Sequence, residues 1–348
     1  MDSSVELYKK NNCLSLIKLL AAFQVMMKHL IRHLELPFPD VARKALFFYD
    51  GVPIFFIVSG FLIWMSIGRS ASYGCFLRKR FWRIYPELWG AVVIEIVSVV
   101  IFYSGWKLKE LIAFAFTQGS ILQFWTPDSL RGYGCGTPNG ALWTMCVIIQ
   151  FYIVSWLIYK LLHKKKVFVW IIALLSLIGI SIIGQVVFER VGIEVLAKLY
   201  GQTIIRYGWL FGVGCFLAEY KEKIVDVFLA KYWYAFVALA LVVYLTGFDV
   251  EVGYNVLHFV LLVSGLIGFA YAFPKLSIKI DISYGIFLYH MIVVNIFMTF
   301  GWMKNWGYVV AVMGITVVLA FASNRTIGKW AERRKEKCGG KKLPFERK

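Results

Sequence analysis

Two ionisable side chains, Lys18 and His29, stand out within the apolar stretch 16–33. They are eleven residues apart, which on an α-helix is close to three turns, so both lie on one face about 16 Å apart along the axis. Ionisable groups in a membrane segment are costly and usually functional. Because histidine titrates near neutral pH, His29 is a candidate general base and Lys18 its basic companion. A histidine that only hydrogen-bonds a neighbouring helix is the alternative.

A metal site is not expected in this stretch. His29 and His33 have the i,i+4 spacing of a metal-binding pair, but no carboxylate or third ligand lies nearby in sequence.

A second basic group follows the next apolar run, in the segment FLRKRFWRIYPELW. Arg80 and Arg83 are three residues apart, as neighbours on one helical face are, and arginine binds phosphate oxygens with a bidentate fork. The pair, with neighbouring Arg78, predicts a polyanionic ligand that arrives from the cytoplasm. Positive charge that only sets topology or meets lipid headgroups is the alternative.

The elements that must position these residues are membrane helices. Of 348 residues, 60% are hydrophobic and only 17% charged, and apolar runs repeatedly reach the roughly 20 residues that span a bilayer. The sequence predicts an all-α, polytopic membrane protein with about ten helices. The predicted spans are 14–34, 46–67, 86–104, 141–162, 167–187, 202–219, 232–247, 254–273, 280–300 and 306–324.

Three parts of the chain follow from these spans: an N-terminus, 1–13, a transmembrane domain, 14–324, and a basic tail, 325–348. The apolar segment 110–124 is short and predicts an interfacial or re-entrant piece.

The formal net charge of +18 has a topological explanation. Most Lys and Arg residues fall on one alternate set of loops, so the positive-inside rule places both termini in the cytoplasm. The basic balance therefore requires no nucleic-acid partner. The lipid bilayer is the expected partner, and the inner (plasma) membrane is the expected location of this multi-pass protein.

An ordered set of motifs resembles the acyltransferase-3 family of integral membrane acyltransferases. It covers about 14–335 and comprises Lys18 and His29 with ten residues between them, FFIVSGFLI, RKRFWRIYP, ALWTMCVIIQFY, RYGWLFGVGCFLAEY, ISYGIFLYH and WAERR. The resemblance implies a ten-helix domain that moves an acyl group, most often acetyl, from acyl-CoA to a hydroxyl of a cell-surface or lipid-linked polysaccharide. Ile148 and Ile149 replace two family glutamates, which indicates the standalone type without a periplasmic esterase-like domain.

Residue roles carry over by matching position. The resemblance implies that His29 is catalytic with Lys18, and that Arg80, Arg83, Arg78 and Ser59 serve the acyl-CoA donor. Candidates for substrate binding are Trp143, Gln150, Arg206, Tyr284 and His290. For His290, a purely structural role is an equal alternative. For Ser59, simple helix packing is the ordinary explanation. Acetyl-CoA enters as a substrate, no tightly bound cofactor is expected, and a homo-oligomer is left open.

Two other functions compete with the enzyme. Ten helices with buried charges also describe a transporter or flippase of a glycan, although no internal duplication of the chain is visible. The third hypothesis is a non-catalytic polysaccharide-assembly protein. The retention of Lys18 and His29 argues against it. The sequence leaves open the acceptor sugar, the acyl group, direct transfer against an acyl-enzyme, and the acidic partner of His29. The intramembrane Glu95 is expected to face a cavity or a cation, with the first-helix basic residues among the candidates, but the sequence does not name the pair.

Overall fold

The computed structural model describes residues 12–336, and their regular structure is helical. The α-helices are α1 (Leu14–His33), α2 (Asp40–Phe48), α3 (Gly51–Gly68), α4 (Tyr73–Phe102), α5 (Leu108–Gln118), α6 (Trp143–Leu162), α7 (Val167–Val191), α8 (Glu194–Tyr200), α9 (Ile204–Glu219), α10 (Ala230–Thr246), α11 (Val256–Ala272), α12 (Ser283–Thr299), α13 (Trp306–Ser323) and α14 (Lys329–Glu336). Two π-helical segments, Lys221–Leu229 and Asn324–Gly328, precede α10 and α14. The predicted all-α class is confirmed.

The predicted N-terminus and basic tail fall largely outside these residues. Residues 1–11 and those after 336 are not among the described ones. The boundaries of the three predicted parts of the chain therefore stay a prediction.

Seven helical stretches of the described chain are long and apolar enough to cross a membrane. They are Leu14–His33, Asp40–Gly68, Tyr73–Phe102, Gly140–Leu162, Val167–Phe188, Lys221–Thr246 and Trp306–Lys335. Three more predicted spans correspond to α9, with 16 residues, and to α11 and α12, with 17 each. At 1.5 Å per residue these reach about 24 to 26 Å, short of the roughly 30 Å of hydrocarbon. The protein is a multi-pass membrane protein.

The basic segment that the sequence places in a loop is part of α4. The helix begins at Tyr73, because Ser72 caps it by accepting a hydrogen bond from Cys75 N at 3.2 Å. It then continues through Pro86 to Phe102. Arg80 and Arg83 are therefore held on a helix rather than on a loop.

The segment predicted to be interfacial contains a short helix, α5. Its apolar face packs into a small cluster with Val99 of α4 and with Leu130 and Tyr133 of the following loop. The segment between α4 and α6 therefore has a hydrophobic core of its own.

The chain divides into two compact units. The first comprises 1–21, 47–65 and 158–281. Within it α3 and α9 approach closely, because any side chain at Gly60 or Gly214 would overlap the backbone of the other helix. Small residues at such crossings are a common means of packing membrane helices.

The second unit comprises 22–46, 66–157 and 282–348. Its central element is α12, most of whose residues are buried. A Cβ on Gly285 of α12 would lie 2.7 Å from Ala320 Cα of α13, so these two helices also meet at a small residue. Three polar side chains on this buried helix, Tyr284, His290 and Asn295, position the site described below.

Candidate active site

The two histidines of the second unit form a direct pair. His29 Nδ1, on α1, lies 2.8 Å from His290 Nε2, on α12, and the rings stack with centroids 5.0 Å apart. His290 is fully buried, whereas His29 is only partly buried. The structure thus brings together a predicted catalytic residue and a residue predicted to bind substrate.

The hydrogen bonds of His290 determine which histidine of the pair donates a hydrogen bond and which accepts it. Its Nδ1 lies 2.9 Å from the carbonyl oxygen of Ile286, which can only accept, so Nδ1 carries the proton. In a neutral His290, Nε2 is then an acceptor, and His29 must donate from Nδ1. The lone pair of a neutral His29 is therefore on Nε2, the nitrogen that faces away from His290. That is the arrangement of a general base oriented by a second group.

The immediate neighbours of the pair on α1 are basic or aromatic. The ring of His33 meets that of His29 edge-on at 5.8 Å. Lys28 and Arg32 flank His29 in the chain, so two cationic side chains and the second imidazole of His33 lie within four residues of it.

The loop between α5 and α6 is hydrogen-bonded to α12 five residues after His290. Asn295 Oδ1 accepts from Cys135 N at 2.7 Å, and its Nδ2 donates to Pro138 O at 2.7 Å. At Gly134 (φ +53°) a side chain would overlap that of Asn295, so only glycine fits this left-handed position. A second amide, Asn139 Nδ2, donates to Leu288 O at 2.9 Å. The loop is therefore held as a fixed wall beside the buried helix.

The same loop is anchored on its other side by Tyr133. Its hydroxyl donates to Ser98 Oγ of α4 at 3.1 Å, and burial raises the pKa of Tyr133 to about 12. The phenol therefore stays a neutral donor. One turn before Ser98, the carboxylate of Glu95 is buried and accepts no hydrogen bond from the part of the chain that the structure describes.

Two of the predicted phosphate-binding arginines, Arg80 and Arg83, are half-buried on α4 and contact neighbouring side chains. Arg80 donates to Ser66 Oγ, and its guanidinium lies 5.4 Å from the Phe76 ring and 5.7 Å from the Tyr152 ring. Its Nε is buried without a hydrogen-bond partner among the described residues. An arginine that is held by aromatic rings and keeps an unused donor is well suited to an anionic ligand.

Arg83 connects this basic group to α12. Its guanidinium lies 5.8 Å from the Tyr284 ring, and the Tyr284 hydroxyl donates to Ile84 O at 3.0 Å. Tyr284 and His290 are six residues apart on α12, which is about 9 Å along the axis. One buried helix therefore contacts both a cation of the predicted donor site and the partner of the predicted base.

Comparison with known proteins identifies the family of the chain. The acyltransferase-3 family, described as an acyltransferase domain, matches residues 11–325. The chain belongs to this family. It is an acyltransferase.

Two curated relatives cover most of the chain. Nodulation protein 10 of Rhizobium leguminosarum bv. viciae is 27% identical over 340 residues, which is 90% of each protein. An O-acetyl transferase of Shigella phage Sf6 is 29% identical over 304 residues, or 80% of this chain and 84% of the relative. No solved structure matches the chain significantly.

In the first unit of this acyltransferase, Lys18 forms an ion pair with Asp281, and both side chains are mostly buried. Sequence reasoning proposed a first-helix cation as a partner for Glu95 and did not identify Asp281. The two residues of the pair are 263 positions apart in sequence, and a single sequence does not reveal such a long-range contact.

The other predicted site residues lie as follows. In the first unit, Ser59 is half-buried on α3 beside Gly60, and the Arg206 guanidinium lies 5.8 Å from the Tyr200 ring. In the second unit, Arg78 is exposed on α4, and Trp143 is half-buried at the start of α6. Gln150 is half-buried and donates to Cys146 Sγ at 3.3 Å. The roles of these residues stay predictions.

Asn295 was missed at the sequence level. It is a fully buried amide in an apolar helix, and a polar residue at such a depth is itself a signal of function. Its position five residues after His290 could have drawn attention to it.

Proposed function

We propose that this acyltransferase moves an acyl group, acetyl in the first instance, from acyl-CoA to a hydroxyl of a cell-surface or lipid-linked polysaccharide. The inner membrane is the proposed location. One observation carries the proposal: α12 contacts Arg83 through Tyr284 and His29 through His290. Tyr284 and His290, the α12 residues that contact the predicted phosphate-binding arginine and the proposed general base, are about 9 Å apart along the helix axis, and the flexible arm of a CoA thioester is proposed to link the two groups.

The proposed chemistry uses the free nitrogen of His29. As the acceptor oxygen attacks the thioester carbonyl, Nε2 takes the hydroxyl proton. The carbon–sulfur bond then breaks, and the CoA sulfur leaves with the proton that the imidazolium returns. The products are an ester and free CoA, and the base ends in its starting form.

His290 has a positioning role in this scheme. Because its Nδ1 is committed to Ile286 O, its Nε2 keeps the His29 ring in the tautomer that can act as a base. A neutral partner also avoids placing a second charge in the membrane. His290 thereby fills the role for which the sequence left an acidic partner open.

The printed name of the phage relative, an O-acetyl transferase, supports acetyl transfer to oxygen here. Arg80 and Arg83 support a CoA thioester as the donor, because CoA carries phosphate groups. Lys18 is retained as the basic companion of His29 on α1, with Asp281 holding its side chain.

The test measures ester-linked acetate on surface glycan from a deletion host. The host expresses wild type, His29→Ala or the control His163→Gln, at matched membrane levels. His163 is a histidine of the first unit that contacts Glu219. We expect acetate with wild type and with the control, and a loss of at least a hundredfold with His29→Ala.

Two outcomes would contradict the proposal. Equal acetate with His29→Ala would make His29 structural and remove the base from the scheme. A wild-type protein that adds no acetate, yet moves glycan across the membrane, would favour the transporter.

A further inference from the structure

A further cation joins the basic group on α4, and it comes from the end of the described chain. Lys335 lies on α14 and is half-buried. Among the described residues, Lys335 interacts electrostatically with three cations of α4, Arg83, Arg80 and Lys79, and with one carboxylate, Glu332 of its own helix. Cations from two separate helices therefore converge on one region.

The position of α14 is fixed by packing. Trp330 meets Trp82 of α4 edge-on, with ring centroids 5.4 Å apart. Just before α14, a side chain at Gly328 would come within 3.2 Å of Glu87 Oε1 on α4. The helix is thus seated on α4, so the convergence of the cations is a property of the fold rather than of loose side chains.

Electrostatics alone does not favour this arrangement. A lysine with a flexible stem can normally turn its ammonium into water, away from like charges. Here the ammonium is partly desolvated beside Arg80 and Arg83, an arrangement that a polyanionic ligand would stabilise. Arg80 also keeps a buried Nε–H without a partner among the described residues. Both features indicate a ligand with several negative oxygens.

We propose that Lys335 completes a phosphate site with Arg80 and Arg83, and that α14 forms one wall of it. The site takes the phosphate groups of acyl-CoA, which rests on the proposed function. Arginine grips two phosphate oxygens in a plane, and lysine adds a point charge from the other side.

The test is acetyl-CoA binding to the full chain in nanodiscs, measured by titration calorimetry. The variants are Lys335→Ala, Lys335→Arg and Arg333→Ala, the last being an exposed cation on the same helix. We expect Lys335→Ala to raise Kd about tenfold, because one charge-assisted contact is lost. Lys335→Arg should stay within about threefold of wild type and Arg333→Ala within about twofold. The arginine variant keeps the test valid if alanine disturbs folding.

Removal of one phosphate from the ligand provides a second arm. With 3′-dephospho-acetyl-CoA, wild type should bind more weakly than it binds acetyl-CoA. The ratio of the Lys335→Ala Kd to the wild-type Kd should be no larger than the ratio measured with acetyl-CoA. Unchanged Kd for Lys335→Ala, in a protein that binds acetyl-CoA, would overturn the inference and leave the proposed function standing. A wild type that fails to bind acetyl-CoA would overturn the proposed donor itself.

A lipid headgroup also offers phosphate, so lipid composition is the third arm. The titration is repeated in net-neutral nanodiscs and in nanodiscs with phosphatidylglycerol. A Lys335→Ala defect of the same size in both supports a CoA site. A defect that appears only with the anionic lipid would assign Lys335 to a headgroup and overturn the inference.

Discussion

At the scale of single residues, the proposed chemistry depends on the contact between His29 and His290. His29 is recognisable because an imidazole is unusual in an apolar segment, and Arg80 because it lies in a dense basic group. The hydrogen bond from His29 to His290 joins residues 261 positions apart, and helical periodicity carries no information about which helix is the neighbour. From sequence alone, a structural role and a functional role for His290 were equal alternatives. In the structure, His290 contacts the predicted base His29.

The pair predicts how His290 variants should behave. His290→Phe removes the acceptor that orients His29, so kcat should fall about a hundredfold or more, while KM for acetyl-CoA changes little. His290→Gln can still accept through its side-chain oxygen and should recover part of kcat. Steady-state kinetics of purified protein, with circular dichroism as the folding control, checks both. A parallel rise in KM, or equal loss in Phe and Gln, would indicate a packing role instead.

At the scale of elements, α12 organises the second unit because it is buried and carries its polar groups on successive turns. Its apolar character was evident from sequence, as was the Gly- and Pro-containing loop before α6. The clamp between them, by which we mean the hydrogen bonds of Asn295 with Cys135 and Pro138, was not evident from sequence. Asn295 and Cys135 are 160 positions apart in the chain. The start of α4 was also missed: the Ser72 cap draws the arginine-rich segment into a helix.

The clamp predicts a graded loss of stability. Asn295→Ala leaves Cys135 N–H and Pro138 O without their partner, which should cost about 2 to 4 kcal/mol. Asn295→Asp keeps the acceptor for Cys135 N–H but loses the donor, so its cost should differ from that of alanine. Thermal unfolding in detergent measures both. If Asn295→Ala unfolds at the wild-type temperature, the clamp does not hold the loop.

At the scale of the whole molecule, function and orientation depend on each other. Charge asymmetry predicts both termini in the cytoplasm, and the donor proposal requires Arg80 and Arg83 on that same side, where acyl-CoA is found. Helix count alone does not settle the orientation, because three of the predicted spans are only 16 or 17 residues long.

Orientation is therefore the most consequential prediction for the molecule. A green fluorescent protein fused after Lys348 should fluoresce, since it matures in the cytoplasm. A cysteine placed at the exposed Asp128, in a variant with Cys135→Ser, should react in intact cells with a thiol reagent that does not cross membranes. The opposite pattern, a dark fusion with an unreactive Asp128→Cys, would place the arginines away from the acyl-CoA pool. The phosphate site and the donor assignment would then fail together, whatever the chemistry of His29.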